Sequence, residues 1–307
     1  MGLALSTSWN AFKHTTAEPL IREIKEAGFQ EVELSFNLTS QIVDGVETLS
    51  GKNEIRVVSL HNYCPFPEDF PRDKALPDCY SMASCDEDER RRAVFFSQRT
   101  IETASRLGAK AVVLHCGRVE MPDATRELIR LFISQAADSD EFKNLRSSMI
   151  ERRRSQAGAH LKNCLKSLSE LERHAQKNKV GLGVETRFYY REIPSYEEIG
   201  IIFEEFKGSN IFYWHDTGHA QFMEDLGFLN HKELIERFKG RLLGIHLHDI
   251  IAGQDHYPPS KGKIDFSWIA PHLKEQTIKV VEAHYPATTQ EIRDSKAYLE
   301  ALLNGKS

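Results

Sequence analysis

The sequence predicts an α/β fold, a closed (β/α)8 (TIM) barrel in a single domain spanning 1–307, on three observations. Short apolar, β-branched runs alternate with longer segments of helical period, the pattern of parallel βαβ units. Eight such units fit into 307 residues, a length that one α/β barrel occupies. No GxGxxG fingerprint opens the chain, which disfavours the competing doubly wound open sheet.

The expected strands are GLALST (2–7), EVELSF (31–36), IRVVSLH (55–61), AVVLHC (111–116), VGLGVE (180–185), IFYWHD (211–216), LLGIHLHD (242–249) and IKVVEAH (278–284). Between them, AEPLIREIKEAG and RRAVFFSQRTIETASRLGA carry apolar residues at spacings of three and four, each followed at its C-terminal end by a glycine that stops the helix. A further helix at 160–178 sets Leu161, Cys164, Leu165, Leu168 and Leu171 on one stripe. Two segments exceed the usual connection length. Residues 62–85 hold four of the eleven prolines with Tyr63, Phe66, Phe70 and Tyr80, and read as a loop over the site. Residues 118–158, with ERRR at 151–154, read as a helical insertion with a solvated charged face, an oligomer contact being the alternative.

Composition narrows the class. A hydrophobic fraction of 40% and a charged fraction of 28% are those of an ordinary soluble protein. The net charge of -5 argues against nucleic acid as a main partner, because phosphate backbones are gripped by basic surface. Five cysteines without a CxxC pair suggest neither a disulfide framework nor a cysteine zinc site, so a reducing compartment and the cytoplasm are expected. No apolar run reaches the roughly 18 residues of a spanning helix, and no membrane partner is expected. The opening Met-Gly with Ser6 and Thr7 reads as the lead into a buried strand rather than as a lipidation signal.

In a barrel of this kind, chemistry gathers at the C-terminal ends of the strands. Eight of the thirteen histidines (61, 115, 215, 219, 246, 248, 256 and 284) fall at or just beyond an expected strand end. Glu185 and Glu282 close runs that are otherwise apolar, VGLGVE and KVVE. A carboxylate there is costly to desolvate unless a cation or hydrogen-bond donors meet it. Converging with Asp216 and His246, the two would form an oxygen-rich site with one imidazole, suited to Mn²⁺, Zn²⁺ or a similar divalent ion such as Mg²⁺ or Co²⁺. His219 would line the same cavity from the turn after Asp216. Strand alternation puts His246 and His248 on one side, His246 the deeper. Arg187, two residues past Glu185, would orient a substrate or be a surface cation.

The ordered set SLH, LHCG, GVE, HDTGHA, HLHD, DHYPPSKGKIDF and VVEAH resembles the xylose isomerase-like TIM-barrel superfamily, which holds sugar and sugar-phosphate isomerases and epimerases together with the zinc AP endonucleases. The resemblance implies a divalent metal held by Glu185, Asp216, His246 and Glu282, with both glutamates acting as acid and base. It implies substrate contacts, or further zinc ions in the endonuclease branch, from His61, His115, His219 and His256.

The endonuclease pattern wants an Asp-x-His pair after the seventh strand. Here GQDHYPP puts Asp255 beside His256, and adjacent residues of an extended segment point apart. The isomerase branch accepts the loop as it stands, Gly262 closing it over the site and Lys261 or Lys263 reaching a substrate hydroxyl or phosphate, if not simply solvated. The expected function is therefore a divalent-metal-dependent isomerase or epimerase of a sugar, sugar phosphate or related hydroxy-carbonyl compound. Its expected partner is a small carbohydrate, and homo-oligomers are compatible. The alternatives are a zinc AP endonuclease and a dehydratase on the same scaffold. A non-catalytic binding protein ranks below these, having no need of two carboxylates at a metal.

Overall fold

The computed structural model describes residues 2–71 and 75–305. Its strands are β1 (Leu3–Ser6), β2 (Glu31–Leu34), β3 (Arg56–His61), β4 (Ala111–Leu114), β5 (Gly181–Glu185), β6 (Ile211–Asp216), β7 (Leu242–Leu247), β8 (Asp249–Ile251), β9 (Gln254–Tyr257) and β10 (Ile278–Val281). The helices are α1 (Ala17–Glu26), α2 (Ser40–Gly51), α3 (Glu87–Arg106), α4 (Thr125–Ile133), α5 (Asp140–Asn178), α6 (Tyr196–Glu205), α7 (Thr217–Asp225), α8 (His231–Phe238) and α9 (Thr289–Leu303). Strands β1 to β7 and β10 pair in parallel and in chain order, and β10 closes on β1 with Leu3 opposite Lys279 and Leu5 opposite Val281. The closed eight-stranded (β/α)8 barrel is thus observed.

Alternation along each strand sorts its side chains between two cores. Leu3, Leu5, Val32, Leu34, Val112, Leu114, Leu182, Val184, Ile245 and Leu247 turn outward and join the core against the helices. Ala4, Val58, Ala111, Val113, Trp214, Ile278 and Val280 turn inward and form a second, smaller cluster. The Trp214 indole plugs the barrel, and only glycine leaves room for it: a Cβ on Gly183 would lie 2.8 Å from the ring and one on Gly244 would lie 2.2 Å from it. The next inward residues along the same strands, His115, Glu185, Asp216, His246 and Glu282, form a polar layer on this apolar floor.

Several strands stop short of their expected ends. The seventh was expected to run to residue 249, but β7 stops at Leu247 and Asp249 opens the antiparallel hairpin of β8 and β9. The Asp249 carboxylate accepts from the amides of Ile250, Gly262 and Ile264, at 2.9, 2.8 and 3.0 Å, and so draws the chain away from the barrel. The helix expected at 160–178 and much of the segment 118–158 are one element, α5, capped by Ser139 and stopped where Lys179 turns left-handed at φ 57°. Within ERRR, Arg153 is buried rather than solvated. It pairs with Glu198 at 2.6 Å and donates to the carbonyls of Tyr190 and Glu192 at 2.8 and 2.9 Å, clamping α5 to the loop after β5.

The segment 62–85 packs on α3 through Tyr80, whose ring stacks on Phe96 at 5.6 Å, and it presents Leu76, Pro77 and Asp78 to the cavity above the barrel. Residues 72–74 of it lie outside the described residues. Among the described residues no helix is long and apolar enough to cross a membrane.

Gly244→Ala drives a methyl group into the Trp214 ring, and the expected loss is about 1–3 kcal/mol in urea unfolding. Gly158→Ala, in α5 where an added Cβ meets nothing within 4 Å, is expected to gain about 0.5–1 kcal/mol in the same measurement.

Candidate active site

The polar layer gathers around one imidazole. His246 Nδ1 stands 2.6 Å from Glu185 Oε1, 2.9 Å from Glu282 Oε2 and 3.7 Å from Asp216 Oδ2. The ligand-capable atoms of these four buried residues lie within 4.8 Å of one another. Four strands supply them: β5, β6 and β7 end in or just after the site residue, and Glu282 is the first residue past β10. Asp216 is also the N-cap of α7, its carboxylate accepting from the His219 amide at 2.7 Å. One carboxylate therefore both starts the helix and faces the cluster.

Glu33 was not foreseen. Its Oε1 meets His246 Nε2 at 3.0 Å and its Oε2 accepts from the Ser59 hydroxyl at 2.7 Å, so a fourth carboxylate fixes the ring from behind. The only signal in the sequence is the alternation in EVELSF, which places Glu33 among the inward positions.

The remaining expected residues surround the cluster. His115 Nε2 is 2.8 Å and His61 Nε2 3.7 Å from Glu185 Oε2. Arg187 is buried, donating to Glu185 at 2.6 Å and to Glu192 at 3.0 Å, which excludes the surface-cation alternative. His219 Nδ1 donates to the Thr186 carbonyl at 3.0 Å. His256 Nε2 lies 3.7 Å from Glu282, its ring stacked between His248 at 4.3 Å and His284 at 3.8 Å. His248 grips Asp216 at 2.9 Å, on the same inner side as His246. A cavity of about 530 Å³, within the range of small-molecule sites, opens onto Glu185 and Glu282 and is walled by His61, His115, Arg187, His219 and His256.

Three expectations are corrected. His215 faces away from the site, outward onto His231 at 2.9 Å and Tyr213 at 2.6 Å, because it alternates with Trp214 and Asp216. Lys263 is tied to Asp225 at 2.6 Å and Lys261 lies 3.9 Å from Glu291, and neither lines the cavity. Asp255 and His256 do not point apart: His256 sits at φ 58°, a left-handed turn that brings Asp255 to 3.9 Å from His219 while His219, His248 and His256 form a cluster.

Charge states follow from these contacts. Burial alone would raise the Glu185 carboxyl, but hydrogen bonds from His115, His246 and His61 outweigh it and hold the group well below the usual carboxylate range. Burial opposes ionisation of Glu282 likewise, and His246 overcomes it. His246 goes well above its ordinary value, since the carboxylates of Glu282 and Glu33 and the bond to Glu185 outweigh its burial. Burial, reinforced by Arg187, pushes His115 down to about 3, so it stays neutral.

The sequence matches the family described as xylose isomerase-like TIM barrel over residues 21–302. The chain belongs to that family. In fold, the chain resembles the solved structure of a 3-keto-D-glucoside 4-epimerase from E. coli, with 19% identity, 98% of this chain and 99% of that chain covered, and a TM-score of 0.69. It also resembles an L-ribulose 3-epimerase (16% identity, 100% and 96% covered, TM-score 0.69). A D-psicose 3-epimerase from Clostridium cellulolyticum H10 is similar as well (13% identity, 99% and 99% covered, TM-score 0.66). No curated protein matches the chain in sequence.

Arg187→Met would leave Glu185 and Glu192 buried without their shared cation. The expected loss is about 3–5 kcal/mol of unfolding free energy in urea, far more than an exposed arginine costs.

Proposed function

We propose that the protein is a divalent-metal-dependent isomerase or epimerase of a hydroxy-carbonyl carbohydrate, acting by proton transfer at the carbon beside the carbonyl. The observation that carries this reading is the convergence of Glu185, Asp216, His246 and Glu282 within 4.8 Å, with both glutamates facing the cavity. The residues fit a cation. His246 Nδ1 carries at most one proton, yet three carboxylates surround it at 2.6, 2.9 and 3.7 Å. An ion among the four would satisfy charges that one N–H cannot. Their oxygen-rich donor set with one imidazole suits Mn²⁺ or Zn²⁺, with Mg²⁺ and Co²⁺ in the same class. Bound there, the ion supplies Lewis-acid polarisation of the substrate's carbonyl and neighbouring hydroxyl oxygens.

The chain's own residues do the rest. Glu185 is ionised, as a base must be, and Arg187 and His115 fix its Oε2 at 2.6 and 2.8 Å. One glutamate takes the proton from the carbon and leaves an enediolate; the other delivers a proton. Delivery to the same carbon from the opposite face inverts that centre, and delivery to the neighbouring carbon exchanges aldose and ketose. His61, His115, Arg187, His219 and His256 hold the hydroxyls from the cavity wall. Similarity to epimerases of 3-keto-D-glucosides, L-ribulose and D-psicose supports a carbohydrate substrate and favours inversion.

A specific observation keeps the zinc AP endonuclease as a second reading. Among the described residues four further groups could hold ions, and two of them, His61–His115–Glu185 and His219–His248–His256, adjoin the first. Metal analysis separates the two readings, with one ion per chain expected for the isomerase and three for the nuclease.

Glu185→Gln and Glu282→Gln are each expected to retain the ion and lower exchange of solvent deuterium into a ketose by about 10²–10⁴-fold. Retained exchange in both would overturn the proton-transfer reading. Chelator dialysis is expected to abolish exchange and added Mn²⁺ to restore it, while abasic-site DNA stays uncut by the metal-loaded protein. Glu33→Gln, which loosens the ring that holds the ion, is expected to weaken Mn²⁺ binding in calorimetry by about 10–100-fold.

A further inference from the structure

We infer that the substrate carries an anionic group, a phosphate ester or a carboxylate, held by Arg126 and Arg191 at the mouth of the cavity. This deepens the proposed proton-transfer reading and rests on it. Four arginines line the cavity, and they fall into two pairs. Arg187 is neutralised by Glu185 and Glu192, and Arg118 by Asp78 at 3.2 Å and Glu120 at 3.4 Å. Arg126 and Arg191 meet no carboxylate among the described residues.

Arg126 is nonetheless positioned. Its guanidinium lies over the Phe188 and Tyr189 rings, at 4.9 and 5.5 Å, and its Nε donates to the Tyr189 hydroxyl at 3.2 Å. The Tyr190 amide donates to Thr125 at 3.0 Å and ties the start of α4 to the segment that carries Arg191. Arg191 Nε is buried without a hydrogen-bond partner, a condition that a ligand oxygen would relieve. Two guanidiniums held on one wall without counter-charge suit a group with several anionic oxygens, which planar N–H forks grip in pairs. Glu185 and Glu282, both buried, line the same cavity. An anionic tail gripped by the two arginines leaves the neutral hydroxy-carbonyl end for the glutamates.

Calorimetry on the metal-loaded protein tests this with D-fructose, D-fructose 6-phosphate and D-gluconate, the last two separating phosphate from carboxylate. At least one anionic probe is expected to bind tenfold or more tightly than D-fructose. Arg126→Ala and Arg191→Ala should each remove most of that preference, whereas Arg130→Ala, paired with Glu127 outside the cavity, should keep it. Equal binding of all three probes, or a preference that survives both cavity variants, overturns the assignment. So does arginine-dependent binding of abasic-site DNA without a preference among the small probes. Deuterium exchange is read in parallel: an anion preference with no exchange in any ketose leaves the subsite standing and removes the proton-transfer reading instead.

Discussion

The site depends on one buried imidazole. His246 is fully enclosed, with carboxylates on both ring nitrogens and the Trp214 ring T-shaped against it, the centroids 5.2 Å apart. Ionised carboxylates are not taken out of water without compensation, so their convergence is the feature the rest of the molecule must support. The barrel provides that support through rigidity. Glu33, Asp216, Glu185 and His246 lie on strands locked to their neighbours, and the last three each stand two residues above Trp214 or a glycine packed against it.

That floor explains a compositional feature that chemistry alone would not. Glycines at 183 and 244 stand where other strands place Ala or Val because the Trp214 indole occupies the volume their side chains would fill. Filling the barrel with one large ring from β6 lets β5 and β7 approach it closely, and the residues immediately above, Glu185 and His246, come within 2.6 Å. Gly218 serves the same end on α7: a Cβ there would sit 2.1 Å from the His248 ring, so His248 could not reach Asp216. Small residues are thus placed where large ones must converge.

The barrel was legible because alternating runs and helical periods are local signals, and the two glutamates were legible because each ends an apolar run. What escaped depends on which way a side chain turns and on contacts far along the chain. Glu33 looks like one half of a polar-apolar alternation, and its partner His246 is 213 positions away. His215 is next to Asp216 and His219 three residues beyond it, yet the nearer one alternates outward on β6 while the farther one reaches the cavity from α7. Arg153 sits in a charged run yet is buried, because its partner Glu198 belongs to α6, 45 positions on. The pairing of Asp255 with His256 was misjudged because alternation holds only in extended backbone, and His256 is left-handed.

The epimerase and the nuclease readings share every residue of the central cluster, so the difference between them must come from what surrounds it. The imidazoles of His61 and His115 stand beside Glu185 as readily for a sugar hydroxyl as for a second ion. Charge placement is more discriminating. A protein that grips a nucleic-acid backbone needs cations spread over a long face, whereas here the uncompensated guanidiniums at the cavity are confined to one wall, with Asp78 and Glu120 paired to Arg118 beside them. A short ligand, charged at one end and neutral at the other, fits the subsite proposed there; a polyanion crossing the cavity would meet those carboxylates as well. That placement of charge supports the proposed small carbohydrate over a duplex, on residues outside the central cluster of Glu185, Asp216, His246 and Glu282.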